Sequence, residues 1–172
     1  VSLNESVGGA FLLEGRLYLG GTWQAGEIGH MLLIPGGERC YCGKHGCADA
    51  YLSPKVLRKQ GGTLASFFRR VEKQEKTACE TWDTYLEHLA ILLTNLRMML
   101  NTDLVIGGEV GTYIAPYLDE LCTKAMKYDL FARDIDYIFP WTHTENAFSA
   151  GASMLALERY SSRLLTRIEP DQ

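Results

Sequence analysis

The sequence has no long apolar run. None of its hydrophobic stretches approaches the roughly 18–20 residues that span a bilayer, and none has the pattern of a secretory signal. It has no excess of positive charge either. Lys and Arg number 17 against 21 Asp and Glu, for a net charge of −4, which gives neither a general footprint for nucleic acid nor a polybasic patch for anionic lipid. Cysteine is too scarce and too uneven for a disulfide framework: there are five, of which Cys40, Cys42 and Cys47 cluster while Cys79 and Cys122 stand alone. An odd, clustered set points to metal binding in a reducing compartment, and so to the cytoplasm. Repeats, low-complexity tracts and an internal linker are also missing. What is present, 172 residues with 47% hydrophobic and 22% charged side chains, is one ordinary globular domain or lobe, large enough to bury a core without staples. The opening Val1-Ser2-Leu3, strand-like and without an initiator Met, reads as a piece cut from a longer protein.

The apolar pattern gives the organisation. Val1 to Leu3 reads as the end of a strand, Asn4-Glu5-Ser6 as a loop, and Val7 to Leu13 as a second apolar run. Glu14-Gly15 is a two-residue hairpin signal leading into a strand from Arg16 to Leu19. Met31 to Ile34 reads as a short strand closed by Pro35-Gly36-Gly37. Asp49 to Lys59 can be helical, with a fresh start at Ser53-Pro54. Leu64 to Lys76 is expected to be a helix after the turn Gly61-Gly62-Thr63. Thr81 to Leu100 is the clearest helix, with Asn101 as its stop. Leu104 to Ile106 is a buried strand ending in Gly107-Gly108, best read as a tight strand-to-helix turn. Ile114 to Tyr128 reads as a helix, Ile135 to Trp141 as a strand, and Asn146 to Tyr160 as a helix rich in small residues, before a tail over 163–172. Hairpins first and strand–helix alternation later make an α/β fold, a mixed sheet flanked by helices, antiparallel in front and parallel behind.

One stretch carries most of the chemistry: GEIGHMLLIPGGERCYCGKHGCADAY, residues 26–51. One His and three Cys close a tetrahedral zinc shell, and thiolates select zinc over magnesium or calcium. The ligand set is His30, Cys40, Cys42 and Cys47, with His45 a rival to His30. Four protein ligands leave no open position, so the zinc is expected to be structural. Glu27 and Asp49 flank the outermost ligands. Carboxylates are the acceptors a hydroxyl-rich ligand needs, but on spacing alone a solvated loop Glu and a helix-start Asp explain them better. Cys79, Cys122, His88 and His143 read as structural.

This stretch resembles the signature of the ROK family, named for repressors, open reading frames and kinases. The family form is G-E-x-G-H followed by C-x-C-G-x-x-G-C-L-E-x-Y, matched here at Gly26, Glu27, Gly29, His30, Cys40, Cys42, Gly43, Gly46, Cys47 and Tyr51. The resemblance extends through VSLNESVGGAFLLEGRLYLGG, DLVIGGEV and NAFSAGASMLAL. It implies an actin-like, ribonuclease-H-like ATPase fold of two lobes, with residues 1–172 forming the single C-terminal lobe and the zinc loop at 26–51. The first lobe and any DNA-binding region would then lie outside this chain. It implies zinc at His30, Cys40, Cys42 and Cys47, and sugar contacts at Glu27, His30 and Asp49.

The departures from the family pattern choose between its two activities. Where the kinases carry a G-T-G phosphate loop, this chain has Asn4-Glu5-Ser6. Where they carry three glycines near the nucleotide, it has Gly107-Gly108-Glu109. Both changes place carboxylates where phosphates would bind. The family Glu after the last Cys is Asp49, with Ala48 in place of Leu. The sequence therefore reads as the effector-binding and oligomerisation domain of a ROK transcriptional repressor, without kinase activity. It would bind a sugar or sugar phosphate, pair as a homodimer, and reach DNA only through a separate N-terminal domain. The alternatives are a lobe of an ATP-dependent hexose kinase, and a lobe that keeps the zinc knot without binding sugar.

Overall fold

A computed structural model describes residues 1–59, 62–131, 133–141, 149, 151–157 and 160. The chain divides into two compact units, 1–141 and 142–172. In the second unit residues 149, 151–157 and 160 are helical, within the stretch expected as the small-residue helix. The rest of that expectation, His143 and the tail lie outside the described residues, as does Gly61. Among the described residues no helix is long and apolar enough to cross a membrane.

The first unit begins with two antiparallel pairs. Strand β1 (Ser2–Leu3) pairs with β2 (Val7–Gly8), and β3 (Phe11–Leu13) pairs with β4 (Arg16–Tyr18). The apolar run from Val7 to Leu13 is thus two strands. The β3–β4 turn is Glu14-Gly15 at φ 53° and 76°, two consecutive positive angles that match the strand twist. Strand β5 (Leu104–Ile106) pairs in parallel with β6 (Ile138–Pro140). Leu3 N–H donates to Gly107 C=O at 2.9 Å and Gly107 N–H to Val1 C=O at 2.8 Å, so the front pair is joined side by side to the back pair. The mixed α/β arrangement expected from the sequence is present.

Helices cover this frame. They are α1 (Asp49–Leu52), α2 (Pro54–Arg58), α3 (Leu64–Glu72), α4 (Lys76–Leu100), α5 (Gly108–Gly111) and α6 (Leu118–Ala125). The break between α1 and α2 falls at Ser53-Pro54 as expected. Helix α3 starts on a capping box in which Thr63 and Ser66 serve each other's backbone N–H. It ends earlier than expected because Gln74 takes a left-handed φ of 57°, and α4 begins earlier than expected, bringing Ala78 into the core. Asn101, at φ 46°, closes α4.

Helix α4 organises the core. Its stripe of Trp82, Tyr85, Leu86, Leu89, Leu92, Leu93 and Leu96 is buried and packs against α3 and α6. The Tyr85 hydroxyl donates to the Leu52 carbonyl at 2.7 Å, tying α4 to α1. At the far edge the buried Lys124 of α6 pairs with Asp83 and Glu87 of α4. Bonds from the Tyr128 hydroxyl, Lys124 and Lys127 hold the Glu87 carboxyl below its ordinary value.

Two expectations are corrected. Met31 to Ile34 does not form a strand: only Leu32 bridges, to Cys47, while Leu33 and Ile34 both turn their N–H groups to the Gly46 carbonyl. The cysteine loop folds back on this segment and takes up its backbone. The helix expected from Ile114 opens as a 3-10 turn over Ala115–Tyr117, and α-helix begins only at Leu118. Pro116 has no N–H to donate and disfavours the α conformation of the residue before it.

Candidate functional site

The cysteine loop, the segment before it and the start of α1 meet over β2. Gly46 makes the fold-back possible. It sits at φ +86°, and a Cβ there would lie 1.9 Å from the Ile34 carbonyl oxygen, so neither the angle nor the space admits a side chain. Cys40 N–H donates to Lys44 C=O at 2.8 Å and Gly43 N–H to Cys40 C=O at 3.0 Å. This tight turn aims Cys40 and Cys42 toward Cys47.

The ligand atoms of His30, Cys40, Cys42 and Cys47 all lie within 4.8 Å of one another. Cys42 Sγ is 3.7 Å from Cys47 Sγ, and His30 Nδ1 is 3.9 Å from Cys40 Sγ. Zinc–sulfur bonds of about 2.3 Å in a tetrahedron put sulfurs roughly 3.8 Å apart, so the donors fit a metal of that kind. All five cysteines are free thiols. The Lys44 backbone N–H holds the Cys42 thiol below its ordinary value. Burial, and then the bond to Cys42, pushes Cys47 up to about 11. A coordinated divalent cation deprotonates the thiols that bind it. His45 is not part of the set: its Nδ1 donates to the Gly37 carbonyl at 3.0 Å. That choice between two histidines was open in the sequence.

The three residues expected to contact sugar hydroxyls stand as follows. Glu27 is exposed, just ahead of the 3-10 turn Ile28–His30. His30 faces the sulfurs with Nδ1, and its Nε2 lies 3.1 Å from the Tyr41 hydroxyl. Asp49 is buried, and its Oδ1 accepts the Val7 N–H at 2.6 Å. The shorter side chain is thus anchored to β2. Substituting Asp49→Ala is expected to leave that buried N–H without a partner and to cost about 1–3 kcal/mol, measured by urea denaturation. An unchanged midpoint would mean that water replaces the carboxylate.

Tyr41 is the residue the sequence did not flag. It lies between two expected ligands, Cys40 and Cys42, and that placement was the available signal. Its ring meets His30 edge-on at 5.2 Å. Desolvation at its hydroxyl end, followed by the charges of Asp49, Cys40 and Glu27, raises the phenol above its ordinary value. The charges of Asp49 and Glu27 thus reach Tyr41, which contacts His30. The Tyr51 hydroxyl accepts the Glu38 N–H at 2.6 Å and steadies the loop from α1, while His88 packs edge-on to Tyr51 at 4.8 Å, half-buried, with its pKa lowered by that burial.

A second cluster lies where β1 meets α5. Arg58 of α2 bridges Glu5 and Glu109, and Lys55 approaches Glu5 at 3.8 Å. Asn4 Oδ1 accepts the Glu109 N–H at 2.9 Å, capping the start of α5. The turn before it is tight: Gly108 is at φ +86°, and a Cβ would lie 2.6 Å from the Leu3 nitrogen.

The ROK family model matches residues 1–159. The chain belongs to the ROK family. An N-acetylmannosamine kinase of Yersinia pestis is 30% identical over 128 residues, covering 70% of this chain and 44% of that one. The ROK hexokinase of Thermus thermophilus superposes with a TM-score of 0.66 at 25% identity, over 74% of this chain and 46% of that one. A ROK family transcriptional regulator, a homolog of the E. coli MLC protein, superposes with a TM-score of 0.66 at 19% identity, over 75% and 37%. This ROK chain thus shares the fold of both kinases and a regulator, and it spans less than half the length of each of these three proteins.

Proposed function

We propose that the chain is the C-terminal, sugar-binding lobe of a ROK transcriptional regulator with an actin-like fold, without kinase activity. A structural zinc on His30, Cys40, Cys42 and Cys47 would fix the loop, and Glu27, His30 and Asp49 would receive hydroxyls of a sugar or sugar phosphate. In this reading the full protein works in the cytoplasm as a homodimer, and its DNA contact belongs to a separate N-terminal domain. A sugar then shifts the balance between DNA-competent and DNA-incompetent states by binding one better than the other.

One observation carries the loss of kinase activity: Arg58 joins Glu5 to Glu109 across the two turns that should receive phosphates. Glu5 and Glu109 are therefore not bare charges, as the sequence suggested. They are held in place by a guanidinium, while Asn4 occupies the Glu109 N–H at the start of α5. A nucleotide phosphate would have to displace both.

The kinase reading has its own support, because the Yersinia pestis relative is a kinase. Calorimetry on the full-length protein separates the two. Glucose or N-acetylmannosamine is expected to bind, and ATP with magnesium to give no heat. Glu27→Ala is expected to weaken the sugar at least tenfold, roughly the worth of a charged hydrogen bond. Unchanged sugar affinity in Glu27→Ala would place the ligand elsewhere. ATP binding with phosphate transfer to the sugar would restore the kinase.

A further inference from the structure

We infer that Tyr41 gates the sugar site by holding the position on His30 that a ligand hydroxyl must take. This rests on the sugar-site reading above and adds a residue to it. The family signature leaves the position between the first two cysteines unspecified, and only the folded loop shows what a tyrosine there does.

The argument begins with the ring nitrogens. His30 turns Nδ1 toward the sulfurs, at 3.9 Å from Cys40 Sγ, which leaves Nε2 as the nitrogen facing outward. With Nδ1 given to a metal, Nε2 carries the proton and is a fixed donor. Its partner is the Tyr41 hydroxyl at 3.1 Å. A phenol hydroxyl offers the same acceptor chemistry as a sugar hydroxyl. The donor is thus satisfied without a ligand, and a sugar must exchange that bond rather than add one.

Tyr41 is also built to move. It is 68% exposed, so no core packing holds its ring. Its neighbours Cys40 and Cys42 fix the backbone on either side, so the motion is confined to the side-chain torsions. Swinging out breaks one hydrogen bond and one edge-on ring contact and frees Nε2. Only a ligand that offers further hydroxyls to the proposed contacts Glu27 and Asp49 along with Nε2 repays the exchange. The gate therefore discriminates against single hydroxyls and water.

The test compares wild type, Tyr41→Phe, Tyr41→Ala and Glu27→Ala of the full-length protein, each checked for equal zinc content. Glucose and N-acetylmannosamine are titrated by calorimetry. Removing the bond that must be broken is expected to tighten whichever sugar binds by about two- to tenfold in both Tyr41 variants, the span of one exchanged hydrogen bond. If neither sugar binds wild type, Tyr41→Ala is expected to acquire binding. Weaker or equal affinity in the Tyr41 variants, or no acquired binding, overturns the gate. A second readout does not depend on the sugar. The side-chain ¹⁵N resonance of His30 Nε2 should move in Tyr41→Phe, and sugar should move the wild-type resonance away from its ligand-free position. An unmoved resonance in Tyr41→Phe overturns the gate whatever the calorimetry. A moved resonance together with unimpaired binding in Glu27→Ala overturns the sugar-site reading and leaves the Tyr41–His30 contact standing.

Discussion

Cys47→Ser is expected to release about one zinc per chain and to lower the thermal midpoint by roughly 10 °C. Cys47 is buried, its sulfur sits 3.7 Å from that of Cys42, and its loop is the one Gly46 folds onto Ile34. A cross-link closing a loop of this length is worth roughly 3 kcal/mol by chain entropy alone, and zinc-finger peptides gain about 10–16 kcal/mol from their metal. The rest of the unit has its own core around α4, so the loss should fall toward the lower of these. At about 2–4 °C per kcal/mol for a chain of this size, that is a shift of roughly 10 °C. Elemental analysis of the purified protein and a melt with and without a chelator make the check. A chain without zinc, or one whose melt ignores the chelator, would remove the metal from this account.

Phe68→Ala is expected to cost about 3–5 kcal/mol, the usual range for a deleted core aromatic. Phe68 lies stacked on Tyr113 at 4.0 Å and edge-on to Trp82 at 4.8 Å and Phe67 at 5.3 Å. It joins α3 to α4 and to the turn after α5. The ring geometry contributes beyond the area buried. Urea denaturation followed by tryptophan fluorescence reads the effect directly, since Trp82 is one of the partners. Met99→Ala, on the exposed side of α4, should change stability by less than about 0.5 kcal/mol. Equal effects at the two positions would mean that α3 does not dock as described.

What could be read from the sequence was local or periodic. Glu14-Gly15 announced its hairpin because the pair suits two positive φ angles. The leucines of α4 announced their helix because every third or fourth residue is apolar. The cluster of His30 with Cys40, Cys42 and Cys47 was legible because thiols and an imidazole at such spacing have few other uses. What escaped depended on partners far along the chain. Arg58 looks like the last residue of a short helix until Glu5 and Glu109 arrive on either side of it. Asp49 looks like a helix start until the Val7 N–H is placed against it. Met31 to Ile34 has the composition of a strand, and only the returning loop shows that its backbone is already engaged. Tyr41 fell between these cases, since its neighbours were recognised while the direction of its side chain was not.

The bonds between Val1, Leu3 and Gly107 also bear on how the chain folds. Segments more than a hundred positions apart must meet before β1 joins the end of β5, so that edge closes late and slowly. The cysteine loop and the α3–α4 pair need only nearby partners and can form first. During synthesis β1, already paired with β2 on one side, is expected to wait for β5 with its other edge open to wrong partners. Growth temperature and expression rate should therefore bear on the yield of correctly folded protein.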